Sequence, residues 1–272
     1  MEIQWSLVLF STLAGAGAWL LVFLGAREVK CGFIFDKTRY VMGVVSLILL
    51  VAGGLFSVTH LSHPDRMMAA LGHPTSGIFM EALFIGLSAL AAIIYLVLVN
   101  RKASSQAIKV VAVVAAIIAF ALTFILGFSY IIPARPMWDT ILLPVAYLGT
   151  AMSFGASLYL VLLAICKEDE GLRFGGLMLL IAGICSVITS LAFGFISGAI
   201  MGEQALLFWG VVVALGGVVP AICGFIARIK PGQALMLATI AILGSALGCV
   251  AFRCIMWLVG TGIRDYFEIA IG

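Results

Sequence analysis

Eight apolar runs, each about as long as the roughly 20 residues needed to cross a bilayer, follow one another along this chain with short charged or Pro/Gly-containing breaks between them. The runs extend over Trp5–Ala26, Tyr40–Val58, Ser76–Val99, Ile108–Ile131, Trp138–Cys166, Phe174–Ile200, Ala205–Ile226 and Ala234–Gly260. Hydrophobic residues fill 64% of the 272 positions and charged residues 10%, against about 25% charged in an ordinary soluble domain. A globular core has no use for so much apolar surface, so the excess must meet lipid. The runs are too long for barrel strands and lack their period-two alternation. The expected fold is an all-α membrane protein, a single transmembrane domain over residues 1–272 built as a bundle of about eight helices.

Charge placement gives the expected orientation. With the N-terminus outside, eleven cations fall on the inner side: Arg27, Lys30, Lys37, Arg39, Arg101, Lys102, Lys109, Lys167, Arg173, Arg228 and Lys230. Only Arg66, Arg135 and Arg264 fall outside, and Arg253 lies within the eighth run. Both termini are therefore expected on the extracytoplasmic side, which an even number of helices requires. Trp5, Trp138, Trp209 and Trp257 fall near outer run ends, where amphipathic rings prefer to sit. The residues Met1-Glu2-Ile3-Gln4-Trp5 lack the basic start of a signal peptide and there is no twin-arginine signal, so the first run is expected to remain as a helix.

The six cysteines (Cys31, Cys166, Cys185, Cys223, Cys249 and Cys254) form no C-x-x-C pair, and the spacings of iron–sulfur ligation are absent. Their expected role is that of small buried hydrophobes. Gly194-x-x-x-Gly198 and Gly244-x-x-x-Gly248 are small-residue pairs suited to close helix contact. No internal repeat stands out.

The residues able to carry chemistry gather toward the outer side. All three histidines, His60, His63 and His73, lie in the connection between the second and third runs. Haem held between histidines on different helices is thereby excluded. A metal site there would have few acids to complete it, and the alternatives are a solvated loop or a proton-accepting site for a ligand arriving from the membrane. Glu81 stands one to two turns into the third run, where a carboxylate is costly and marks a candidate site, although a structural hydrogen bond would also account for it. Arg253 could pair with Glu81, snorkel outward or hold a ligand oxygen. Asp139, at the expected start of the fifth run, fits a helix-start acid stabilised by the dipole, and Tyr130 and Tyr147 fit packing roles. Together, His60, Arg66, Glu81, Asp139 and Arg253 could line a pocket near one interface. A quinol suits such a pocket: it needs an apolar cleft with polar groups at its ring oxygens, and its oxidation needs a base such as histidine or glutamate.

At these residues the sequence resembles the membrane-anchor subunit of dimethyl sulfoxide reductase-type molybdoenzymes. His60-Leu61-Ser62-His63-Pro64-Asp65-Arg66 resembles the family's H-L-G-x-P-x-R after the second helix, and Ser76 to Glu81 its S-x-x-x-x-E. Pro136-Met137-Trp138, followed by Pro144 and Tyr147, resembles P-x-W…P-x-x-F. Phe252-Arg253-Cys254-Ile255-Met256-Trp257 resembles G-R-x-x-F-Y in the last helix. The resemblance implies an anchor in the cytoplasmic (inner) membrane that serves electron transport in anaerobic respiration. Its partners would be a four-cluster iron–sulfur subunit and a molybdopterin catalytic subunit on the extracytoplasmic face. The anchor would bind and oxidise menaquinol, with His60 and Glu81 as its proton-handling residues, and would carry no haem, iron–sulfur cluster or molybdopterin in this chain. Ser62, Cys249 and Gly15 depart from the family's usual glycine, glutamate and glutamine. The alternatives are an anchor of a polysulfide, tetrathionate, nitrite or aromatic-substrate reductase, an anchor without a quinol site, and a multi-pass transporter, which would place its polar groups nearer the midplane.

Overall fold

The computed structural model describes residues 2–30, 34–59 and 72–260. Among them every regular element is helical, and eight helices are long and apolar enough to cross a membrane. These are α1 (Trp5–Lys30), α2 (Asp36–Thr59), α3 (Gly77–Asn100), α4 (Ser105–Phe128), α5 (Leu142–Ile165), α6 (Asp169–Ser197), α7 (Ala205–Ile229) and α8 (Ala234–Val259). The all-α expectation from eight apolar runs is met.

The helices pack as two rings of four. α1 touches α2, α2 touches α3, α3 touches α4, and α4 closes back on α1; α5 to α8 repeat the same circuit. The rings join where α1 meets α5 and where α4 lies on α5, with α1 also reaching α8. The order of neighbours thus repeats in the two halves, although the sequence shows no repeat. α1 and α5 form the centre: the most apolar stretch of α1 is 78% buried and that of α5 67%, against 28% for α2 and α3. Small residues make this possible, because lipid-embedded helices gain by close backbone approach rather than by hydrophobicity alone. A Cβ on Gly15 would stand 2.9 Å from that of Ala151 across the α1–α5 seam, and one on Gly17 would stand 2.9 Å from the Ser46 carbonyl oxygen of α2. The Ser46 hydroxyl donates to the Gly17 carbonyl at 2.6 Å, tying α2 to α1 at that point.

Two prolines shape the helices, one by shifting an expected limit and one by disturbing a helix interior. The fifth run was expected to start as helix at Trp138, but α5 begins at Leu142. A start at Trp138 would place Pro144 in the helix interior, where it lacks an N–H and its ring clashes with the carbonyl four residues earlier. Starting at Leu142 puts Pro144 in the first turn, whose N–H groups have no helical partner in any case. In α7, Pro220 cannot donate to the carbonyl of Gly216. The preceding stretch Phe208–Val218 is π-helical, and the Gly216 carbonyl instead accepts the Ser153 hydroxyl of α5 at 2.8 Å.

The two glycine pairs divide. Gly244 and Gly248 of α8 abut the α7 backbone at Leu215 and Gly216, as expected of packing residues. Gly194 packs against Phe208, whereas Gly198 has open space around it and a φ of 71°. It ends α6 in the left-handed conformation that favours glycine at a helix C-terminus, so its role is to stop the helix. The described cysteines are free thiols, buried except for half-buried Cys185.

We call the two ends of the bundle the amino end, where α1 starts and α8 finishes, and the basic end, which carries the α1–α2, α3–α4, α5–α6 and α7–α8 connections. Two of the cations counted there are ion-pair partners of buried carboxylates, Arg27 buried and Arg39 half-buried. Arg27 of α1 donates to Glu168, just before α6, at 2.8 Å. The second oxygen of Glu168 accepts the Thr38 hydroxyl at 2.7 Å and the Phe35 backbone N–H at 3.2 Å, at the start of α2. This carboxylate therefore clips the two rings together. Glu28, the next residue on α1, accepts Arg39 of α2 through Nε at 2.7 Å and a terminal nitrogen at 2.9 Å, and the Tyr95 hydroxyl of α3 at 2.8 Å. A buried carboxylate needs such compensation to offset its desolvation, and here each has an arginine.

Candidate functional site

At the amino end one buried carboxylate is held differently. Ser76 caps α3 by accepting the Phe79 N–H at 3.2 Å, and the helix start lies so close to the end of α4 that a Cβ on Gly77 would stand 2.8 Å from that of Ser129. Glu81 follows one turn later on the inward face of α3 and is 8% exposed. Ser129, at the C-cap of α4, donates its hydroxyl to Glu81 Oε1. Among the described residues no lysine or arginine pairs with Glu81. It is a carboxyl group removed from water with a hydroxyl donor in place of a cation, an arrangement suited to holding or passing a proton.

Behind it lies an aromatic cluster that joins the two rings. Tyr130, next to Ser129, sets its ring 5.8 Å from those of Tyr147 and Trp138 and 6.0 Å from that of Trp257. Trp138 and Trp257 meet edge to face at 5.1 Å. Burial pushes the Tyr130 phenol well above its ordinary value, so it stays a neutral hydroxyl. Trp138 and Trp257 therefore do not sit in a lipid-facing belt as their positions suggested; both are buried, while Trp5 and Trp209 are exposed. The Trp138 indole N–H donates to the Met256 carbonyl at 2.8 Å, and Arg135 lies 4.5 Å over its ring while donating to the Gly260 carbonyl at 3.1 Å.

Arg253 is fully buried at the junction of α1, α5 and α8. Its Nε donates to the Ser11 hydroxyl at 2.8 Å, one terminal nitrogen to the Cys249 carbonyl at 3.0 Å, the Cys249 sulfur at 2.9 Å and the Thr150 hydroxyl at 3.3 Å, and the other to the Ser11 carbonyl at 3.1 Å. Its guanidinium also stands 4.6 Å over the Tyr147 ring. Of the roles considered for it, pairing with Glu81 and snorkelling to the surface are not observed; its donors are directed at protein groups. Cys249 accepts from Arg253 through both its carbonyl oxygen and its sulfur.

The sequence-predicted set is thus distributed. Glu81 is buried beside Ser129. Arg253 lies behind Tyr147. Asp139 is exposed, three residues before α5, with its N–H bonded to the Arg135 carbonyl at 3.0 Å; it does not act as an N-terminal cap, since α5 starts without a side-chain cap. His60, His63 and Arg66 lie outside the described residues, and His73 is exposed just before Ser76. Sequence reasoning missed Ser129, 48 positions from its partner; a polar residue at the end of an apolar run was the only available signal. It also missed Ser11 and Thr150, small hydroxyls that look like ordinary helix-packing residues.

Compared with known proteins, residues 1–208 match the family described as DMSO reductase anchor subunit (DmsC). No curated protein matches the chain. The matched stretch takes in α1 to α6 and the start of α7, and so includes Glu81, Ser129 and Asp139 but not Arg253.

Proposed function

The chain belongs to the DMSO reductase anchor subunit family, and from that premise we propose that it oxidises menaquinol beside Glu81 and delivers the electrons to an iron–sulfur partner. As a member of the family it is a multi-pass membrane protein associated with a catalytic molybdoenzyme complex. In the proposed arrangement the amino end, with both termini, faces outward from the cytoplasmic membrane. The four-cluster iron–sulfur subunit docks there and carries the molybdopterin subunit.

Quinol oxidation breaks two O–H bonds and releases two protons and two electrons. Glu81, oriented by the Ser129 hydroxyl, takes the proton of one ring oxygen. His60, the residue after the end of α2, takes the other and passes it to outer water. Arg66 steadies the negative charge that builds on the ring oxygens. Arg253 acts from behind the Tyr147 ring as a positioning residue, its positive charge felt at the site through the ring. Asp139, exposed on the connection into α5, accepts released protons at the rim. Both electrons leave the quinol for the iron–sulfur partner, whose clusters would carry them on to the molybdopterin subunit.

The observation that carries this reading is the contrast among the buried carboxylates. Glu28 and Glu168 are each compensated by an arginine and tie helices together, whereas Glu81 receives a serine hydroxyl and no described cation. A carboxyl group that only held helices together would gain from a cation; one that exchanges protons with a ligand works better without it. Titration of the purified complex with a fluorescent quinol analogue tests this. Saturable quenching is expected for the native protein, with at least a tenfold weaker affinity for Glu81→Gln. Unchanged binding in that variant would remove Glu81 from the quinol site.

A further inference from the structure

At the other end of the bundle, on the outer surface of the first ring, an apolar groove of about 360 Å³ runs between α1 and α4. Val22, Gly25 and Val29 line it from α1, and Val113, Ile117 and Phe120 from α4. Its shape follows from sequence. At the crossing a Cβ on Gly25 would stand 2.8 Å from the Ala112 carbonyl oxygen and 2.7 Å from the Ala116 Cβ. The floor is therefore bare backbone and methyl groups, and larger side chains on either side form the walls. Val29, Ile117 and Phe120 are exposed, so the groove opens toward the hydrocarbon of the bilayer.

Basic residues stand on α4 and on the turn before it, beyond the groove toward the basic end. Lys109 stands four residues before Val113, hence on the same face of α4 and one turn nearer the basic end. Arg101 and Lys102 form the turn just beyond, and the first turn of α4 contains no acid. The buried acids at this end are already engaged: Glu168 with Arg27, and Glu28 with Arg39, which also takes Asp36. Among the described residues Arg101, Lys102 and Lys109 make no ion pair.

We propose that this groove is a binding site for one anionic phospholipid, with an acyl chain between α1 and α4 and the phosphate headgroup against Lys109 and the Arg101–Lys102 turn. Basic positions beside a lipid-facing cleft select such headgroups. The groove's nearly wholly apolar lining offers nothing to hold quinol ring oxygens, and it lies at the end of the bundle opposite Glu81. The site is independent of the quinol reading, since neither Lys109 nor Val113 has a part in it.

The test is lipid retention. The complex is purified from nanodiscs containing equal phosphatidylglycerol and phosphatidylcholine, and its co-purifying lipid is counted by native mass spectrometry. Native protein is expected to keep one phosphatidylglycerol in at least fivefold preference to phosphatidylcholine. Lys109→Gln brings the preference to parity, Val113→Trp removes the retained lipid, and Lys230→Gln, on the distant α7–α8 connection, changes nothing. An unchanged thermal midpoint and membrane-fraction yield in each variant show that the fold is intact. Equal retention of both lipids by the native protein, an unaltered preference in Lys109→Gln, or quinone as the retained molecule would overturn the proposal.

Discussion

Replacing Arg39 by methionine tests the claim that the buried acids at the basic end are structural. Glu28 accepts three hydrogen bonds, two from Arg39 and one from Tyr95, and Arg39→Met leaves only the last. Removing one partner of a buried pair costs about 3–5 kcal/mol, because the other charge remains buried. The Arg39 side chain is 13% exposed, so water partly relieves the loss and the lower end, about 3 kcal/mol, is expected. At about 2–4 °C per kcal/mol for chains approaching this length, the midpoint of thermal unfolding should fall by about 6–12 °C. Replacing the whole group behaves otherwise. Glu28→Leu with Arg39→Met leaves the Tyr95 hydroxyl buried and unsatisfied, at a cost of about 1–3 kcal/mol. Adding Tyr95→Phe should bring the triple variant within about 1 kcal/mol of the native protein, since a buried ion pair can be exchanged for apolar groups with little loss. Thermal scans at one heating rate in nanodiscs of fixed lipid composition provide the comparison. An Arg39→Met midpoint within 2 °C of native, or a triple variant no more stable than that single one, would refute the reasoning; a 2 °C shift corresponds to about 1 kcal/mol or less.

Ser153→Ala should destabilise the bundle by about 1–2 kcal/mol by leaving the Gly216 carbonyl without its donor; adding Pro220→Ala, which restores a backbone N–H nearby, should recover part of that loss in the same scans. Gly198→Ala should cost about 1 kcal/mol, because a non-glycine residue is forced to positive φ at the end of α6, and a variant as stable as native would mean the turn relaxes. Gly248→Leu should prevent accumulation of folded protein, since its side chain has no room against the Gly216 backbone; membrane-fraction yield reads this directly.

Much of the fold was legible because each span needs a long apolar run, and eight such runs can be counted. Which helices lie at the centre was not, since lipid and protein interior are equally apolar and hydropathy does not distinguish them. The cue in hindsight is side-chain size: Ala14-Gly15-Ala16-Gly17-Ala18 in α1 and the Gly149 to Ser157 stretch of α5 are the small-residue segments that meet at the seam. The charge count concealed Arg27 and Arg39, which lie near helix ends and so look like loop cations until Glu168 and Glu28 are found beside them. Long-range pairing made the difference there, as it did for Ser129 and Glu81. The tryptophans misled for a related reason: their position along the chain was right, but Trp138 is drawn inward by its bond to the Met256 carbonyl, which no local pattern encodes. Glu81 itself was legible, because a carboxylate inside an apolar run is conspicuous whatever surrounds it.

The most direct test compares two electron entry routes into the assembled complex carrying Glu81→Gln. A positioned base contributes about 10²–10⁴-fold to such a proton transfer, so menaquinol-driven reduction of the terminal acceptor should fall at least 100-fold, while a dye that reduces the partner subunits directly should still support the native rate. Menaquinol turnover at the native rate in that variant would contradict the account.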